Sequence, residues 1–274
     1  AGGAVSGAPF VELRAHSAFS FGEGSASPEA LVARAAALGY PALGLTDCAD
    51  LGGAVRFALA CRKAGVRPVV GVELVVDGHP LALLARTAEG YRNLAALVTR
   101  ARAGTVSAWS RDDAGRRAGT PPRGRPRVTW HDVAARAVGV TLLTGPASGE
   151  VGSLVRARRV AEAERRVQAW REAFGADHVA IEVQHHFAGR AEAALAGALV
   201  ALAGRVRAPW AVVGDPRYAD AEGRRAHDVL VALRHGCTID EAAARGLLLP
   251  NDAWQLHPPE TVAEWWAGLE SGLE

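Results

Sequence analysis

Short apolar runs of strand length alternate with capped helical segments along almost the whole chain, and this alternation limits the possible folds most. Strands are expected at Phe10–Leu13, Ala42–Thr46, Pro68–Val76, Pro80–Ala85, Val138–Leu143, His178–Gln184 and Trp210–Val213. Between them lie helical patterns. Ser27 caps one that starts at Pro28, carries Glu29 in its first turn and stops at Gly39. Leu51–Ala64 is a second, closed by Gly65, and others are expected at about 90–101, 151–174, 188–205, 221–234 and 239–244. Strand–helix–strand alternation implies a parallel sheet joined by crossover helices. A closed or nearly closed α/β barrel of seven strands is the first expectation, with functional residues at the strand C-termini. A doubly wound open sheet is the alternative. It would want a Gly-rich phosphate turn after the first strand, and Gly22-Glu23-Gly24-Ser25 is a poor one.

The alternation breaks between Arg102 and Arg127, a stretch rich in Gly, Pro, Ser and Arg that reads as a long exposed loop. Its Arg116, Arg117, Arg123 and Arg125 are candidate contacts to a DNA backbone, although Asp112 and Asp113 partly balance them and a solvated loop is the favoured reading. Residues 1–9 read as disordered, 10–235 as the barrel domain and 236–274 as the start of a connector, with a short amphipathic segment around 262–269. Formal charge is only +2, so net charge does not mark a polyanion binder. Lys63 is the only lysine, and the arginine and alanine excess reads as genomic base composition. There is no methionine, so the chain is expected to have lost its initiator or to be a piece of something longer. Cys48, Cys61 and Cys237 form no CxxC pair, which fits a reducing cytoplasm. No apolar run is long enough for a membrane span.

Two stretches carry chemistry. The first is Phe10–Gly24, where a strand runs into Arg14-Ala15-His16-Ser17 and then Glu23; the second is Thr46-Asp47-Cys48 at the end of the next strand. Together they resemble the opening of the PHP (polymerase and histidinol phosphatase) domain, whose pattern is His-x-His-Ser, then Asp, then Thr-Asp-His. The resemblance is strongest to the version in the bacterial DNA polymerase III alpha subunit, especially its error-prone form. It continues through Gly71-Val72-Glu73-Leu74, Leu83-Leu84-Ala85-Arg86, Leu142–Val151, Ile181-Glu182-Val183-Gln184, Gly214–Tyr218 and His227–Glu241. It implies a PHP-type distorted seven-stranded (β/α) barrel over nearly the whole chain.

PHP domains gather His and carboxylate ligands around divalent metals, which generate hydroxide and stabilise attack at phosphorus. The resemblance places His16, Glu23, Cys48, Glu73 and Asp215 at residual ligand positions. Arg14, Pro146 and Arg217 replace a His, a Cys and a His. Arginine has no lone pair for a metal and cannot deprotonate in a protein. A full cluster is not expected, which leaves at most one weakly held zinc, manganese or magnesium ion. Asp47 is as well placed to hold the following turn as to serve chemistry. His185 and His186 read as strand-end residues, and His227 and His235 as helix-surface residues. The functions in view are a scaffolding module of an error-prone alpha-type polymerase, with the polymerase core, DNA and accessory subunits as partners, and a free-standing metal-dependent phosphoesterase or 3′–5′ exonuclease. The arginines at ligand positions are expected to pair with the stranded carboxylates.

Overall fold

The computed structural model describes residues 10–106, 110–111, 117–118 and 126–270. In chain order the elements are β1 (Glu12–Ala15), α1 (Pro28–Ala37), β2 (Ala42–Leu45), α2 (Ala54–Ala64), β3 (Arg67–Val76), β4 (His79–Ala85), α3 (Ala88–Val106), the two-residue strands β5 (Ser110–Arg111), β6 (Arg117–Ala118) and β7 (Arg127–Val128), α4 (Trp130–Ala134), β8 (Val140–Leu143), α5 (Glu150–Arg156), α6 (Val160–Phe174), β9 (Val179–Val183), α7 (Arg190–Val206), β10 (Trp210–Val212), α8 (Gly223–His235), α9 (Ile239–Ala244) and α10 (Pro259–Glu270). Seven of these strands run side by side in the order β1-β2-β3-β4-β8-β9-β10, with β7 added to β3. The path nearly closes into a barrel. No ladder joins β10 to β1, and the seam is held instead by the Glu12 carboxylate. Its oxygens accept from Gly214 N (2.7 Å) and from Arg14 N (2.8 Å), while His16 N donates to Pro216 O at 2.9 Å.

Local signals set the element ends. Ser27 accepts from Ala30 N, Pro28 opens α1, and Gly65 closes α2 in the left-handed region (φ 73°). The all-parallel expectation holds for β1-β2-β3 and β8-β9-β10 but fails at β4, which is antiparallel to both β3 and β8. The cause is the tight Asp77-Gly78 turn between β3 and β4, both residues at positive φ, which leaves no room for a crossover helix. The single helix expected over 151–174 is two. Arg158 sits at φ 60°, ending α5 before α6 begins.

Register then determines what lines the barrel. Glu73 pairs with Ala82, Ala82 with Leu143 and Leu143 with Ala180, so all four face the same way. Glu182, two residues beyond Ala180, shares that face through the strand's period of two. The interior therefore holds a small apolar cluster, Ala82, Leu84, Leu143 and Val213, with carboxylates above it. The larger core lies outside the sheet, where Leu94, Leu97, Val167, Trp170, Leu199 and Leu202 of the helices cover β3, β4, β8 and β9. Leu31, Phe57 and Cys61 of α1 and α2 cover β1 and β2.

The expected connector folds back on the barrel over its described part. Trp254 stacks on His186 with ring centroids 4.1 Å apart, Trp265 meets Phe187 at 4.9 Å, and Tyr40 Oη donates to His257 O at 2.8 Å. The expected disordered residues 1–9 lie outside the described residues, as do Arg116, Arg123 and Arg125. No described helix is long and apolar enough to cross a membrane.

Candidate functional site

Four loops and three strands, β1, β3 and β9, meet at the mouth of the barrel. The turn after β1 brings His16, Ser17, Ser20 and Glu23. It is tightened by Gly24, where a Cβ would lie 2.1 Å from Ser17 O. Asp47 fixes this turn from the end of β2. Its Oδ1 accepts from Ser17 N and Ser20 Oγ, and its Oδ2 from Ser17 Oγ, all at 2.7 Å. Asp47 thus has the structural role of its two readings. Cys48 follows, bridged to β3 beside Glu73. Asp215 and Arg217 arrive after β10, with Asp215 in the left-handed region at φ 49°.

Every candidate ligand carboxylate already faces a guanidinium. Arg14 is fully buried, and its two terminal nitrogens bond Glu73 Oε2 and Glu182 Oε1. Arg217 bridges Asp215 Oδ2 (2.7 Å) and Glu23 Oε2 (2.9 Å). Arg234 adds a longer contact to Glu23 Oε1 at 3.4 Å. His16 Nε2 is 2.9 Å from Asp215 Oδ1, a short contact outside hydrogen-bond alignment, and His16 Nδ1 is 3.0 Å from Ser20 Oγ. Burial alone would raise the Glu73 and Asp215 carboxyls. Arg14 chiefly for Glu73, and Arg217 then Arg14 for Asp215, more than offset it and hold both below the usual range. Glu182 is raised, because burial outweighs Arg14. Glu12 is pushed up to about 7 by burial, against the two amides that bond it.

Glu23, Cys48 and Glu73 bring one ligand atom each within 4.8 Å of one another. Cys48 Sγ lies 3.3 Å from Glu73 Oε1 and 3.5 Å from Glu23 Oε2. Burial, with Glu73 and Glu23 adding, pushes its thiol well above the ordinary value, opposite to what a metal thiolate needs. The multi-metal cluster implied by the motifs does not fit these residues. Two guanidinium groups sit on the carboxylate oxygens that metals would share, and Arg14 has no route to solvent. Asp215, His16 and Ser20 also line up in the order of a hydrolase triad. Ser20 is fully buried and its hydroxyl donates to Asp47, so it presents no nucleophile.

The structure thus brings His16, Glu23, Cys48, Glu73 and Asp215 together with Arg14 and Arg217. Pro146 lines a cavity of about 240 Å³ with Glu23, Glu73 and Arg217. His227 lies there too; contrary to the helix-surface expectation it is buried, against the Tyr218 ring. His186 is tied to Glu192 (3.1 Å) and Gly214 O (2.9 Å), in keeping with a strand-end role. Two participants were not singled out from the sequence, Glu12 and Glu182. Glu182 is a carboxylate in an otherwise apolar strand, and Glu12 shares a four-residue strand with Arg14; a charge inside a strand was the available signal in both cases.

Comparison with known proteins agrees with this geometry. The family model for the PHP domain matches residues 12–186. An error-prone DNA polymerase of Anaeromyxobacter dehalogenans is 37% identical over 96% of this chain, and the DNA polymerase III subunit alpha of Pseudomonas aeruginosa is 32% identical over 97%. The chain spans about a fifth of those relatives' length, 22% in both cases. Among solved structures, a protein described as a metal-dependent phosphoesterase from Bifidobacterium adolescentis superposes with TM-score 0.52 at 15% identity, covering 81% of this chain and 96% of its own. An amidohydrolase from Chromobacterium violaceum gives TM-score 0.52 at 20% identity over 78% of this chain and 89% of its own. Both show the fold alone. The barrel, the order of its motifs and the extent of the match are those of a homologue of the alpha-type bacterial DNA polymerases over this region, and the chain belongs to the PHP domain family.

Proposed function

We propose that this chain is the N-terminal PHP module of an error-prone alpha-type DNA polymerase, and that it serves as a scaffold rather than as a phosphoesterase. One observation carries the reading: Arg14 and Arg217 hold the carboxylates that would otherwise ligate metal. Clustered buried carboxylates need cationic partners. Guanidinium groups supply fixed charge and directed hydrogen bonds, but they cannot generate hydroxide. The module then contributes a rigid barrel on which the polymerase core and accessory subunits can be mounted.

The rival reading, a metal-dependent phosphoesterase or 3′–5′ exonuclease, rests on the Glu23, Cys48 and Glu73 group acting with a single divalent ion. One assay separates the two. The chain is incubated with zinc, manganese or magnesium and a DNA strand labelled at its 3′ end. No release of nucleotide is expected. Metal-dependent release that His16→Ala abolishes would overturn the scaffold reading.

A further inference from the structure

Away from the barrel mouth, the break between α5 and α6 creates a basic hollow that a continuous helix would not have. It measures about 670 Å³ and is walled by Glu150, Ser153, Arg159, Glu162, Arg165 and Arg166, with His79 at the start of β4 at one side. Two of the arginines are held in place. Arg159 grips Glu162 with two bonds (2.6 and 2.7 Å), and Arg166 Nε lies 2.6 Å from Glu150. Both carboxylates are thereby spent on the walls. Arg165, exposed on α6, lies near Glu162, which Arg159 already engages. Arg156 and Arg158, on either side of Ala157 in the wall, are exposed and form no ion pair with a described residue. The positive φ of Arg158 makes the break, so Arg158 projects from the turn and Arg156 from the last residue of α5. No side chain caps the start of α6, so its partial positive charge adds to the same field.

The geometry points to this hollow as a docking site for the phosphate backbone of duplex DNA, a partner class that rests on the polymerase reading above. Planar guanidinium forks suit phosphate oxygens. Fixed arginines on the walls, with exposed Arg156 and Arg158 flanking the wall residue Ala157, would track a backbone. Apart from the His79 ring at one side, the walls carry no aromatic side chain on which a base could stack, so backbone contacts dominate and binding here is independent of sequence. None of the residues walling the hollow belongs to the 102–127 stretch, in which the sequence offered its candidate DNA contacts.

The test is fluorescence anisotropy of a labelled DNA duplex titrated with the 274-residue chain over a range of salt. EDTA is present throughout, so metal-dependent activity cannot enter, and a failure here leaves the scaffold reading standing. Changing Arg156, Arg158 and Arg165 together to Gln should weaken binding by at least about tenfold at low salt. It should also reduce the slope of log K against log salt by about 3, one counterion for each lost phosphate contact. Arg62→Gln with Lys63→Gln, on the exposed side of α2, should leave both unchanged. A thermal melt reports the fold of each variant, and Arg165→Glu alone avoids the α5–α6 turn should the triple variant unfold. The proposal is overturned if the wild-type chain does not bind the duplex, if the triple variant (or Arg165→Glu) binds as wild type does, if the α2 control loses as much, or if an oligoglutamate peptide displaces DNA at equal charge.

Discussion

Arg14 and Glu73 form an ion pair inside the barrel that solvent does not reach, the arginine side chain being 0% exposed and the glutamate 6%. Glu182 holds the other terminal nitrogen of the same guanidinium. A charge this deep is stable only while its partners remain. Arg14→Met should therefore cost about 3–5 kcal/mol, because it strands two carboxylates. Urea unfolding measures it. A cost below about 1 kcal/mol would mean the pair is surface-like in energy. Arg14→His should also destabilise, and it should not create phosphodiesterase activity.

The module should be indifferent to metal removal. A bound ion that recognises only the folded state raises the melting temperature by mass action. With guanidinium groups on the carboxylates, EDTA should leave the melting temperature unchanged, and added zinc or manganese should not raise it. A clear, saturable rise with zinc that Cys48→Ser removes would show that an ion competes successfully for Glu23 and Glu73.

Glu12 makes stability depend on pH in an unusual direction. Its folded-state value is raised from 4.5 to about 7, so its contribution is full below about 4.5 and is lost as pH rises through 7. Glu182, also raised, acts with the same sign, whereas Glu73 and Asp215, both lowered, lose their contributions as pH falls through their folded values. Stability should fall between pH 5 and 7.5, by on the order of 3 kcal/mol from Glu12. Glu12→Gln keeps the site neutral and should flatten that slope, although it costs one of the two hydrogen bonds the carboxylate accepts. Equal slopes in the two proteins, from denaturant melts at several pH values, would remove Glu12 as the cause.

Asp47 should behave as a structural residue. It accepts three hydrogen bonds from the turn that carries His16 and Ser20. Asp47→Ala leaves those donors buried without an acceptor and should cost about 3 kcal/mol. Asp47→Asn, which keeps one carbonyl oxygen, should cost less. Similar small effects from both changes, read by the same unfolding experiment, would contradict this role.

Much of this protein was legible one segment at a time. Ser27 with Pro28, and Gly65, marked helix ends because a cap acts on amides and carbonyls only a few residues away. His16, Asp47, Cys48 and Asp215 could be placed near strand ends because a strand's apolar run shows where it stops. That the arginines at ligand positions pair with carboxylates was also foreseeable, since buried charge must be balanced. Glu73, Asp215 and Glu23 were in view as partners; which arginine takes which, and the share of Glu182, were not. Arg14 meets Glu73 across 59 residues and Glu182 across 168. Those meetings depend on strand order, on the reversed direction of β4 and on a pairing register in which a shift of one residue would turn each side chain to the opposite face. The break at Arg158 was hidden for a related reason: a non-glycine residue carries no mark of a left-handed conformation. Sequence determined the local elements and the kinds of charge that had to be reconciled. Only the tertiary structure decided which charges meet, because that choice is made by contacts between segments far apart in the chain.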